Sequence, residues 1–318
     1  MDFLKKVLET KKEIISNMQS LLQIDSTMDE NPNSKDAPFG EGIRDSLCFM
    51  LNLGQELGFT VKNVNNVAGH IEYGEGDEIV GILVHVDVVP AVGKWKYPPF
   101  SATIEGNRLY ARGAMDDKGP AICSLYAMKV LKDLGVKLNK RVRLIIGTDE
   151  ESNWRGISEY FKVCEMPTVG FSPDAEFPVI YGEKGIMSID LISEENSELI
   201  VSSGDRYNVV PDEAEAILNQ DLKEEFEQFL KSEQLQGKYE EKIILYGKAA
   251  HAMEPKNGQN ALVNLCRFLS NYTENNLVHF INDKLTDSRF KAMGLSFSDP
   301  EMKDLTVNVA NMKVNNIS

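Results

Sequence analysis

The run RVRLIIGTDEES, residues 141 to 152, constrains the fold more than any other stretch of this chain. Leu144, Ile145 and Ile146 are consecutive apolar residues, the pattern of an interior strand in a sheet covered on both faces. The run then breaks into three adjacent acids, Asp149, Glu150 and Glu151. Neighbouring carboxylates repel, and beside a core they are costly unless something positive sits among them. The stretch therefore predicts a buried strand with a cation-binding site at its end.

Two other segments have the same form. IVGILVHVDVV (79–89) carries His85 and Asp87 near its end, and TVGFSPDA (168–175) carries Asp174. DDKGPAICSLYAMKVLKDLGV opens on Asp116 and Asp117 and continues as a helix packed through Ile122, Leu125, Met128 and Leu131. Further helices are expected at about 2–24, 41–57 and 155–163, with short strands at about 59–64 and 67–73 and a hairpin within 95–110. Strands alternating with helices at this spacing predict an α/β sheet domain through about residue 182.

In open α/β sheets, sites form beyond the carboxyl ends of the strands, so these four acidic ends are expected to converge. One imidazole among several carboxylates suits zinc, manganese or cobalt. Each part alone has a plainer reading. Asp116 and Asp117 would cap the helix that follows, His85 and Asp87 would be a structural pair, and Glu150 and Glu151 would be a solvated loop. Four acidic strand ends in one chain favour a metal centre over those readings taken together.

From Gly185 the texture changes. IMSIDLI (186–192) alternates as a half-exposed strand, followed by an acidic helix near 221–236. The strand KIILYGKA, the polar loop AHAMEPKNGQ and a helix at about 259–272 complete a second, α+β domain. A formal charge of −15 argues against nucleic acid or an anionic membrane as partner. Cys48, Cys123, Cys164 and Cys266 form no CxxC pair and are expected to be buried thiols in a reducing compartment. The charged N-terminal helix has no signal-peptide core, and no apolar run approaches ~18 residues, so no membrane span and a cytoplasmic location are expected.

HVDVVP, YARGAMDDKGP, GTDEES and SPDAEFP, in this order, resemble the aminoacylase and carboxypeptidase G group of two-zinc metallopeptidases. The longer stretches VPAVGKWKYPPFSATIEGNRLYARGAMDDKGP and FSPDAEFPVIYGEKG look most like its dipeptidase V branch, which includes Xaa-His dipeptidases. The resemblance implies a zinc-exopeptidase-type mixed sheet flanked by helices, with an inserted α+β lid. Residues 1–182 would be the catalytic domain and 183–318 the lid. It implies two zinc ions, with manganese or cobalt as substitutes. Asp116 would bridge them, His85 and Asp174 would complete one site, and Glu151 would belong to the other. Asp87 would accept the second imidazole N–H, and Glu150 would be the general base and then the acid. His251 in GKAAHAMEPKNGQNA would stabilise the oxyanion, with Asn208 in RYNVVP as a further polar contact. Asp149 would be structural, and His70 and His279 would have packing or surface roles.

The chain departs from the pattern in one respect. The group takes a further histidine for its second metal, and an arginine for the substrate carboxylate, from a C-terminal segment, whereas the last histidine here is His279. The expectation is the N-terminal part of a monomeric dipeptidase, cut within the lid, that acts on small peptides. The alternatives are a deacylase of N-acyl amino acids or N-succinyl-diaminopimelate, and an inactive fragment.

Overall fold

The computed structural model describes residues 2–315 apart from 30, 33, 176–177 and 195–197. The chain divides into two compact units, residues 1–180 and 181–318.

In the first unit, α1 (Phe3–Leu22) and α2 (Glu41–Glu56) precede the hairpin of β1 (Thr60–Val64) and β2 (Ala68–Tyr73). Next come β3 (Ile79–His85) and a small hairpin, β4 (Thr103–Glu105) with β5 (Arg108–Tyr110). Then α3 (Lys118–Asp133), β6 (Arg141–Gly147), α4 (Arg155–Val163) and β7 (Val169–Phe171) follow. The sheet order is β1-β2-β6-β3-β7. β3 runs parallel to β6 and β7, while β2 is antiparallel to β1 and β6, so this is a mixed sheet within an α/β unit.

Why Leu144, Ile145 and Ile146 show no alternation is visible in the packing. Leu144 and Ile146 join Leu47, Met50, Leu125 and Tyr126 in a core built by α2 and α3. Ile145 joins Phe39, Ile43 and Tyr160 in a second core on the opposite face. Successive strand side chains point to opposite faces, so a sheet covered on both sides needs apolar residues at every position. Each such side chain contributes about 1.5–3 kcal/mol by leaving water.

The second unit is α+β. Its strands are β8 (Ile200–Ser203), β9 (Glu213–Ile217), β10 (Gln236–Tyr239) and β11 (Ile243–Tyr246). The short pair β12 (Ser298–Asp299) and β13 (Lys303–Asp304) and the strand β14 (Met312–Val314) follow. The main sheet has the order β10-β11-β9-β8-β14, and every neighbouring pair is antiparallel. The helices are α5 (Lys223–Glu233), α6 (Ala261–Leu269) and α7 (Asn276–Lys284). Asn260 and Asn275 cap α6 and α7, their side chains accepting the N–H of Val263 at 3.0 Å and of Val278 at 3.1 Å. The core joins Phe226 of α5 to Phe268 of α6, with ring centroids 5.1 Å apart.

Two expectations are corrected here. Ile186–Ile192 forms no strand among the described residues, and Ile186 and Ile192 are 94% and 87% exposed. Alternation says which face each side chain would take, but a strand also needs a neighbour for its backbone N–H and C=O groups. The four cysteines are free thiols, yet only Cys266 is buried and Cys123 is exposed. No helix among the described residues is long and apolar enough to cross a membrane.

Candidate metal centre

The strand register brings the acids together. His85 closes β3 opposite Gly147 of β6, and Ile82 of β3 lies opposite Phe171 of β7. Asp174, three residues past Phe171, comes level with His85, and Glu150, three past Gly147, lies just beyond it, so both stand at the carboxyl edge of the sheet. Asp116 and Asp117 arrive there at the start of α3.

Nε2 of His85 faces three carboxylates. Asp116 Oδ1 lies 2.9 Å away, Asp174 Oδ2 3.4 Å and Glu150 Oε2 3.9 Å. The donor atoms of His85, Glu150 and Glu151 lie within 4.8 Å of one another, as do those of His85, Asp117 and Asp174. Among the described residues, no lysine or arginine comes within 4.0 Å of the carboxylates of Asp87, Asp116, Asp117, Glu150, Glu151 or Asp174. The buried oxygens Asp87 Oδ1 and Asp117 Oδ1 also have no hydrogen-bond partner. One imidazole and several acceptor-only groups with no cation among them is a donor set that fits divalent metal.

Asp117, which the sequence reading placed among the converging acids, has no assigned role in the resemblance. It occupies the N-cap position of α3, but its side chain makes no capping bond. Instead Oδ2 accepts the backbone N–H of His85 at 3.1 Å, and the side chain is fully buried. The paired acids in DDKGP were the available signal. Asp116, its neighbour, is 58% exposed at the side chain and turns toward Nε2. Gly119 permits this turn, because a Cβ there would stand 2.1 Å from the carbonyl oxygen of Ala114.

The outer contacts hold these groups in place. Nδ1 of His85 meets the backbone carbonyl of Asp87 at 3.0 Å, whereas the expected carboxylate oxygen lies at 3.4 Å. Asp87 Oδ2 accepts the N–H of Glu151 at 3.0 Å. Asp149 pairs with Arg155, its Oδ2 2.7 Å from Nε and its Oδ1 3.0 Å from Nη2. Trp154 N–H returns to the Asp149 carbonyl at 2.8 Å, closing the turn that carries Glu150 and Glu151. Lys118, wholly buried, donates to the carbonyls of Leu21 and Ile24 at 3.2 and 2.8 Å, fastening the end of α1 beside the Asp116–Asp117 turn.

The electrostatics follow from this crowding. Burial, then the charge of Asp116, push Glu151 up to about 7, and burial, then Asp174, push Asp117 up to about 8. Glu150 is also raised, chiefly by burial. Burial works against a charged His85, but the carboxylates of Asp116, Asp174 and Asp87 beside its ring outweigh it and hold its pKa well above the ordinary range. Asp116 is lowered, first by its hydrogen bond to His85.

His251 and Asn208 belong to the second unit, where both are exposed. Their segments pair locally: His251 bridges Val209, and Ala252 N–H donates to the Asn208 carbonyl at 2.9 Å. His251 Nδ1 accepts the N–H of Met253 at 3.2 Å. The other histidines are committed elsewhere. His70 is buried with Nδ1 2.7 Å from the Tyr160 hydroxyl, and His279 Nε2 lies 2.8 Å from the carbonyl of Thr273.

An imidazole ringed by carboxylates at the carboxyl edge of a mixed sheet defines a metal-binding α/β protein. Residues 81–290 match the Peptidase family M20/M25/M40, and the chain belongs to that family of peptide-bond hydrolases. A Bacillus subtilis (strain 168) relative named "Putative dipeptidase YtjP" is 44% identical over 97% of this chain and 71% of its own length. A Staphylococcus epidermidis relative named "Putative dipeptidase" is 42% identical over 96% of this chain and 70% of its own. Among solved structures, human carnosine dipeptidase 1 aligns at 21% identity and a TM-score of 0.49, over 65% of this chain and 46% of that one. The chain therefore spans about 70% of these curated relatives and less than half of that solved structure.

Proposed function

We propose that the protein is a metal-dependent dipeptidase that hydrolyses the peptide bond of small peptides, with zinc as its metal and two ions in the site. The observation that supports this most is the ring of carboxylates around Nε2 of His85 with no lysine or arginine among them. The dipeptidase designations of the two relatives above point to the same substrate class.

In this reading His85, Asp116, Asp174 and Glu151 would hold the metals, Asp116 being the ligand common to both. Bound zinc supplies a Lewis acid that polarises the scissile carbonyl and lowers the pKa of water toward ~7. Glu150 takes the proton from the attacking water and returns it to the leaving amine nitrogen. Burial raises its pKa, the direction that favours its holding the proton between the two transfers. Asp87 orients the imidazole and the glutamate loop. His251, with Asn208, donates to the tetrahedral oxyanion. Residues 1–182 serve as the catalytic domain and 183–318 as the lid that closes on substrate. We assign the protein to the cytoplasm as a monomer.

A panel of dipeptides that includes an Xaa-His member, with N-acyl amino acids and N-succinyl-diaminopimelate alongside, tests this reading. Turnover of dipeptides that needs zinc or manganese and disappears in Glu150→Gln is the expected result. Metal-dependent turnover confined to the N-acyl substrates would replace it with a deacylase.

A further inference from the structure

Beyond His85 the parallel ladder of β3 with β6 passes to another segment. Gly147, the last residue of β6, accepts the backbone N–H of Val86 at 3.0 Å. Were β6 to run on in that register, Asp149 would take the next two groups, the carbonyl of Val86 and the N–H of Val88. The chain leaves the ladder there instead. Asp149 turns to Arg155, and its carbonyl accepts the N–H of Trp154, which closes the turn that carries Glu150 and Glu151. A carbonyl and an N–H on either side of Asp87 therefore need another partner.

Ser26 takes both. Its Oγ donates to the carbonyl of Val86 at 2.6 Å, and its own carbonyl accepts the N–H of Val88 at 3.2 Å. Thr27, the next residue, forms a parallel bridge with Val88. Ser26 and Val86 are wholly buried, so solvent does not replace these bonds when they are lost. The segment is itself anchored. Lys118 donates to the carbonyls of Leu21 and Ile24, and Gly42 of α2 lies so close to the carbonyl of Asp25 that a Cβ has no room there. Asp87, between the two bonded valines, serves the site twice. Its carbonyl meets Nδ1 of His85 at 3.0 Å, and its Oδ2 accepts the N–H of Glu151 at 3.0 Å.

We propose that Ser26 is a positioning residue of the metal centre, taking the place of Asp149 beside the end of β3. Asp87 then stays in register, while the end of β6 is free to turn and present its two glutamates. The position calls for a hydroxyl. The backbone N–H of residue 149 is replaced by an O–H donor reaching from another segment, and alanine offers none. The effect on metal binding rests on the metal-dependent reading above, whereas the hold on Asp87 does not.

Zinc titration against a competing chelator, and backbone hydrogen exchange of the metal-free chain, test this on the full 318-residue protein. Ser26→Ala binds zinc about tenfold or more weakly, the usual cost of losing a group that orients metal ligands. Exchange quickens at residues 86–88 and 150–152, the stretches that Asp87 joins, and not in the rest of the sheet. Ser26→Thr keeps the hydroxyl and most of the affinity. Ser26→Cys keeps the volume but donates weakly, so it behaves as Ser26→Ala does and takes its place if that variant does not fold. Tyr126→Phe is the control for stability. It removes a hydroxyl that bonds Glu13 and Asn17 of α1 at 2.8 and 2.7 Å, about two and a half turns along α3 from Asp117. Urea unfolding is read on every variant, and Tyr126→Phe loses stability while its zinc affinity stays native. Native zinc affinity in Ser26→Ala, or an equal loss in Tyr126→Phe, overturns the proposal. So does exchange that quickens evenly throughout the sheet. The two readings fail separately: a native chain that binds neither zinc nor manganese removes the metal-dependent reading, and the exchange at 86–88 and 150–152 then decides the role of Ser26 alone.

Discussion

Nδ1 of His85 lies 3.0 Å from the carbonyl oxygen of Asp87, two residues along the same chain. A carbonyl only accepts, so Nδ1 carries a proton and Nε2 is the nitrogen that faces Asp116, Asp174 and Glu150, where it would offer its lone pair to a bound metal. The carboxylate of Asp87 has a separate task, accepting the N–H of Glu151. Asp87→Asn keeps the carbonyl and removes the charge. It is expected to fold normally and to bind metal roughly 10–100-fold more weakly, read by titration against a competing chelator. Unchanged affinity would mean that the carbonyl alone orients the site.

Glu150→Gln separates holding metal from moving protons. Because Glu150 is the farthest of the three carboxylates from Nε2, at 3.9 Å, the variant is expected to keep its metal content. Its turnover is expected to drop about 10²–10⁴-fold, the usual contribution of a general base. Retained turnover would assign the base to another residue.

The turn that carries Glu150 and Glu151 is closed by Asp149 and Arg155. The Asp149 side chain is fully buried while that of Arg155 is half exposed, so Arg155→Ala leaves a buried acceptor short of its donor. A loss of roughly 1–3 kcal/mol in urea unfolding is expected, together with weaker metal binding. Loss of stability with unchanged metal affinity would show that the clamp supports the fold alone.

His70 sets a pH dependence away from the metal centre. Burial, then the charge of Arg143, lower its pKa to about 4 in the folded protein, below an ordinary value of about 6.5. The unfolded chain therefore binds the proton first as pH falls. Stability from this residue is complete above about pH 6.5 and is lost toward pH 4, by at most roughly 3 kcal/mol. Urea midpoints between pH 7 and pH 4.5 should fall more steeply for the native sequence than for His70→Gln. Parallel curves would show that His70 titrates alike in both states.

Much of this architecture was legible before any coordinates. The buried run at Leu144–Ile146 announces a doubly covered strand, and the acids after it, with those after β3 and β7 and before α3, announce a site at one sheet edge. Asp117 was less legible, because an acid at a helix start looks like a cap, and only the fold shows its oxygen on the His85 amide instead. Ile186–Ile192 misled for a related reason: its alternation is local, while strand formation depends on a partner elsewhere in the chain.

The sequence by itself determined which residue types stand at the strand ends, because apolar run, turn and acid are all written within a few neighbouring positions. Only the tertiary structure decided which oxygen faces Nε2 and which acid is buried. Those depend on the register of β3 against β6 and β7 and on helices packed from distant segments, relations that no local stretch of chain encodes.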